Sequence, residues 1–109
     1  MRTTNGHSIP AEMVDNYLNG LVNQFFKILP IKESGEPSLN EFMRSLQVEL
    51  IGHKALMRYL NYDSMYMTLL SILQYMIDND CSTSVVKREV FKAISICKKL
   101  RKKYCNEGV

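Results

Sequence analysis

Residues 63–80 read Asp-Ser-Met-Tyr-Met-Thr-Leu-Leu-Ser-Ile-Leu-Gln-Tyr-Met-Ile-Asp-Asn-Asp, and no charge falls between Asp63 and Asp78. Only Ser64, Thr68, Ser71 and Gln74 interrupt the apolar run. Leu69, Leu70, Ile72, Leu73, Met76 and Ile77 spread around a helical axis, and a helix apolar nearly all round is a buried one. A strand is disfavoured by the length, by the abundance of Leu and Met and by the lack of Val, Gly and Pro. A membrane span needs roughly 20 apolar residues, more than this segment holds between its acidic ends. The stretch therefore predicts the central helix of a small helical bundle.

The remaining segments supply that helix with neighbours. Upstream, Ser8-Ile9-Pro10-Ala11-Glu12 reads as a helix start, with Pro tolerated in the first turn and Glu12 near the positive end of the dipole. Val14, Tyr17, Leu18, Leu21, Val22, Phe25, Phe26, Ile28 and Leu29 form a wide apolar stripe over residues 11–29. Gly20 interrupts it, either for close approach of another helix or as a local kink. Pro30 is expected to end the helix, because the residue before proline is pushed out of the helical region. Residues 31–37 read as a loop. Ser38-Leu39-Asn40-Glu41 then has the spacing of a capping box. It predicts a second helix over 38–60, carrying Leu39, Phe42, Met43, Leu46, Leu50, Met57 and Leu60 on one side.

Asp63 or Ser64 caps the central helix, which spans 64–79. Cys81-Ser82-Thr83-Ser84 offers caps for a fourth helix over 84–104. There Val86, Val90, Ala93, Cys97, Leu100 and Tyr104 repeat at alternating spacings of four and three, an a/d seam widened by Phe91 and Ile94. Four helices with short connections make an all-α, antiparallel up-down four-helix bundle. At 109 residues the chain is one domain, with residues 1–9 read as a polar arm and 105–109 as a frayed tail.

The net charge of +3 conceals an asymmetry. Residues 1–81 hold six basic and nine acidic side chains, a net −3, whereas residues 82–109 hold eight and two, a net +6. The excess lies on the fourth helix. Lys87, Arg88, Lys92, Lys99, Lys102 and Lys103 are the candidate contacts to a nucleic-acid backbone. The bland alternative, and the favoured one, is a solvated face whose last cations complement the helix dipole. No aromatic residue reads as interleaved with these cations for base stacking, since Tyr104 belongs to the apolar seam.

A second cluster surrounds the connection between the second and third helices. Met57, Tyr59, Tyr62, Met65, Tyr66 and Met67 combine adaptable thioethers with amphipathic rings, a mixture suited to a protein partner. Closure of one bundle end by the same side chains is the competing reading.

Catalytic and metal chemistry find little support in the residue pattern. His7, His53, Cys81, Cys97 and Cys105 show no zinc-site spacing, and no Gly-rich phosphate loop is present. Glu41, Glu49, Asp63 and Asp78 are scattered. No catalytic residue, cofactor or metal is therefore expected, nor a membrane partner. Three widely spaced cysteines without a Cys-x-x-Cys pair, after a start with no apolar leader region, predict reduced thiols in the cytoplasm.

Tyr17-Leu18-Asn19-Gly20-Leu21, Ile28-Leu29-Pro30 and Val86-Lys87-Arg88-Glu89-Val90-Phe91-Lys92-Ala93-Ile94 resemble small uncharacterised helical proteins of Gram-positive gut bacteria, associated with prophages or other mobile elements. The resemblance covers roughly residues 14–104 and rests on packing patterns. It implies an all-helical fold in a bacterial cytoplasm and carries over no catalytic residue. The expected function is a non-enzymatic protein-interaction or assembly module, with a protein partner or a second copy as a homodimer. The alternative is an accessory nucleic-acid-binding protein using the basic helix.

Overall fold

A computed structural model describes residues 11–35, 38–52 and 60–106. Helices α1 (Ala11–Ser34), α2 (Leu39–Gly52), α3 (Ser64–Asp78) and α4 (Thr83–Asn106) form an all-α four-helix bundle, with a 3₁₀ turn at Leu60–Tyr62. The expected arm, the extreme tail, His7, His53, Met57, Tyr59 and any continuation of the second helix beyond Gly52 lie outside the described residues.

Neighbours in sequence pack as neighbours in space, and α1 also lies along α4, which closes the bundle. Cross-helix pairs show the antiparallel sense. Arg101, near the end of α4, binds Asp15, near the start of α1, at 2.7 Å. Phe26 and Phe91, near the opposite ends of the same two helices, meet edge to face with ring centroids 6.0 Å apart. On the other side of the bundle, Gln47 of α2 donates to the Leu70 carbonyl of α3 at 3.3 Å.

The core is the convergence of the four apolar stripes. Leu18, Phe25 and Ile28 of α1, Met43 and Leu50 of α2, Leu69 and Leu73 of α3 and Val90, Cys97 and Leu100 of α4 are all buried. Each large side chain removed from water contributes about 1.5–3 kcal/mol, against at most about 1 kcal/mol for an exposed ion pair. Packing of these stripes, rather than surface charge, therefore holds the fold. As its run of apolar residues predicts, α3 is buried at Tyr66, Leu69, Ile72, Leu73, Met76 and Ile77.

Two boundaries differ from expectation. Helix α1 passes through Pro30 and ends only at Ser34. The proline removes one main-chain bond, to the Phe26 carbonyl, but Ile28 and Leu29 before it pack into the core. The stop comes instead at Gly35, whose φ of 70° suits a glycine past a helix end. Its N–H donates to the Lys32 carbonyl at 3.1 Å. Helix α4 is longer than expected, and Ser82 accepts from the Val85 N–H at 3.4 Å in the manner of an N-cap. At Gly20 no close helix approach occurs: a Cβ placed there meets nothing within 4 Å.

Candidate interaction surfaces

The Met/Tyr cluster divides between core and solvent. Tyr66 is only 2% exposed, and its hydroxyl donates to the Leu50 carbonyl at the end of α2. Burial raises its pKa. Tyr66 thus closes the bundle and offers no ring to a partner. Met65 is half-buried against the core. Tyr62 and Met67 are exposed, at 89% and 51%.

Helix α2 adds to this end what sequence reading missed. Val48 and Ile51 are 69% and 49% exposed in its last two turns. Gln47 reaches across to Gln74 of α3 at 3.2 Å as well as to the Leu70 carbonyl. Ile51 follows Gln47 by one turn on α2 and Met67 precedes Gln74 by two turns on α3, so the antiparallel register puts both toward the same end of the α2–α3 edge. The edge therefore carries Ile51 and Met67 beside the Gln47–Gln74 bridge, which Gln74 extends to Asp78 at 2.7 Å, with Val48 one turn of α2 from Ile51 on its outer face and Tyr62 at the same end of the bundle. The only available signal was that Val48 and Ile51 fall off the Leu39–Met43–Leu46–Leu50 stripe.

Beneath this end sits a buried polar junction. Asp63 is 6% exposed and caps α3, accepting from the Met65 N–H at 2.8 Å through Oδ1. Its Oδ2 accepts from Lys103 Nζ at 2.8 Å and from the Tyr104 hydroxyl at 2.6 Å. Burial alone would raise the carboxyl pKa. The hydrogen bonds from Lys103, Tyr104 and the Met65 N–H outweigh it and hold Asp63 below its ordinary value. The bond to Asp63 raises Lys103, while burial, then the Asp63 bond, raises Tyr104. Start of α3 and end of α4 are joined here.

The six candidate nucleic-acid contacts are all exposed but do not share one face. Lys103 is engaged by Asp63. Arg88 contacts the neighbouring Glu89 at 3.1 Å, and Glu89 is itself nearly buried. Lys92 joins Arg88 and Glu89 along a surface groove of about 410 Å³ between α3 and α4, with Thr68, Ser71 and Tyr75 opposite. Lys99 is exposed and lies about 160° around α4 from the buried Cys97. Lys87 and Lys102 lie on the α1 side of α4, on a stripe with Lys98. Phe91 stands on that stripe, 45% exposed, against the 42% exposed Phe26 of α1. This corrects the expectation that no aromatic residue interleaves with the cations. Phe91 sits about 100° around α4 from Val90, far enough from the seam to remain in water.

A cleft of about 380 Å³ opens at the other bundle end, between Met43 of α2, Met76 of α3, Asp78, Asp80, Cys81 and Lys32. Among the described residues, no three of His, Cys, Asp and Glu gather closely enough to hold a metal ion. Cys81 and Cys97 are buried free thiols. Burial pushes the Cys97 thiol up to about 12, which keeps it protonated and a poor nucleophile. Among the described residues no helix is long and apolar enough to cross a membrane.

Compared with known proteins, the chain matches no protein-family model, no curated protein and no solved structure.

Proposed function

We propose that this chain is a non-enzymatic helical assembly module that pairs with a second copy of itself through the outer α2–α3 edge. The observation that carries this is the exposure of Val48, Ile51 and Met67, each about half in water or more, toward one end of the α2–α3 pair. Contiguous apolar exposure of this kind marks interaction sites. The side chains joining the two helices there, Gln47 and Gln74, are neutral. Exposed Arg44 lies one turn before Val48 on α2 and Asp78 accepts from Gln74 at 2.7 Å, so the edge offers its own copy one charge of each sign beside the apolar group, which a self-complementary two-fold contact can pair. We place the protein in a bacterial cytoplasm and among mobile-element proteins. The free thiols of Cys81 and Cys97 and the helix-packing motifs of α1 and α4 support that setting.

Light scattering on a sizing column, run over a wide concentration range, tests the assembly. The expected mass rises toward twice the 12.6 kDa of one chain, and Met67→Lys holds it at the single-chain value. A single chain at every concentration contradicts the proposal.

A further inference from the structure

The α1–α4 seam carries a second surface of different chemistry. On α4, Lys87, Phe91, Lys98 and Lys102 lie at spacings of four, seven and four, so they form one stripe along the helix. At 1.5 Å per residue the stripe is about 22 Å long. All four side chains are exposed. Among the described residues, none of Lys87, Lys98 and Lys102 has an ion pair.

Helix α1 supplies the facing strip. The antiparallel register that sets Phe26 against Phe91 and Asp15 against Arg101 places the exposed Asn19 near Lys98. Asp15, the acidic group nearest the middle of the strip, is already held by Arg101 at 2.7 Å. Glu12 and Glu33 lie toward its two ends. Among the described residues the seam is thus a row of cations without ion pairs, flanking an aromatic pair that is nearly half in water.

We infer that the α1–α4 seam binds single-stranded nucleic acid, with Phe26 and Phe91 taking base faces and Lys87, Lys98 and Lys102 taking phosphates. Cations alone suit any polyanion. The aromatic pair selects a strand whose bases are unstacked and reachable, because a duplex keeps its base faces inside. Lysines spaced along one edge follow a flexible backbone, and Asn19 adds a neutral donor and acceptor for sugar or base edges. An acidic protein segment would use the lysines and leave the two rings without a matching group.

Fluorescence anisotropy of the full chain with labelled oligothymidylate, oligouridylate and a duplex of equal length tests this across a salt series. Both single strands should bind more tightly than the duplex. The logarithm of affinity should fall with the logarithm of salt at a slope of roughly −2, as three phosphate contacts on a single strand require. Phe26→Ala combined with Phe91→Ala should weaken single-strand binding at least about fivefold. Phe91→Leu preserves the apolar contact with Phe26 and should also weaken it, which separates base stacking from any loss of fold. Lys98→Gln with Lys102→Gln should flatten the slope to roughly −0.7. Lys92→Gln, on the α3 side, should change nothing. Absence of binding at low salt, equal affinity for the duplex, or unchanged single-strand affinity in the folded phenylalanine variants would each overturn the inference. Preference for the thymidylate or the uridylate strand decides whether the natural ligand is DNA or RNA.

Discussion

Tyr104 and Asp63 stand 41 positions apart and meet at 2.6 Å, the Tyr104 hydroxyl donating to the Asp63 carboxylate. The same carboxylate caps α3 with its other oxygen and accepts from Lys103. One buried side chain thus caps the start of α3 and ties it to the end of α4.

Asp63→Ala should lower stability by about 2–3 kcal/mol, since it removes an N-cap and leaves Tyr104 without its acceptor. Asp63→Asn keeps a capping oxygen and should cost less. Urea unfolding followed by circular dichroism measures both. Tyr104→Phe should cost about 1 kcal/mol.

The same junction sets a pH dependence at the acid end. The Asp63 pKa is lowered on folding, so its contribution is complete above the unfolded value of about 4. It is lost as pH falls through the lower folded value. Wild-type stability should therefore drop below about pH 4 by more than that of Asp63→Asn. Equal acid slopes for the two proteins would contradict this assignment.

At the alkaline end the sign reverses. Folding raises Tyr17, Tyr66 and Tyr104, burial being the leading cause in each case. Their contribution is complete below the unfolded value of about 10 and is lost as pH rises through the folded ones. Absorbance of tyrosinate should show these three rings ionising at higher pH than free tyrosine.

Tyr66→Phe should destabilise by about 1–2 kcal/mol with the fold retained. Tyr66 is a buried donor to the Leu50 carbonyl of α2, and its removal leaves that carbonyl one partner fewer. Thermal unfolding monitored by calorimetry reads the loss.

Gly20→Ala should stabilise by about 0.5–1 kcal/mol. The new methyl meets nothing within 4 Å, while the unfolded chain loses freedom. A fall in midpoint instead would show that α1 needs a glycine there for a reason outside its own packing.

Cys97 should resist a maleimide reagent until denaturant opens the bundle, because its thiol is fully buried and held protonated. Mass mapping of the labelled peptide against urea concentration should place its reaction at the global unfolding transition. Labelling in native buffer would contradict the packing of α4 against the core.

The bundle was legible in the sequence because its deciding signals are periodic. The uncharged run through Leu69, Leu73 and Met76 and the Val86-to-Tyr104 seam predict burial from spacing alone. Pro30 misled because a single missing bond is weak beside the packing of Ile28 and Leu29. The surfaces were less legible, since exposure is a difference between neighbours. Nothing local distinguishes the buried Tyr66 from the exposed Met67, or the nearly buried Glu89 from the cations around it. Phe91 was read as core because it adjoins Val90, yet the turn of the helix carries it out to meet Phe26. Likewise the exposure of Val48 and Ile51 shows only once α2 packs against α3.

The most direct measurement of the assembly claim is amide hydrogen exchange at low and high protein concentration. If two copies join through the α2–α3 edge, protection at high concentration should rise around residues 48–51 and 62–67 and stay unchanged along α1. Protection that is independent of concentration, or that rises only along the α1–α4 seam, would contradict it.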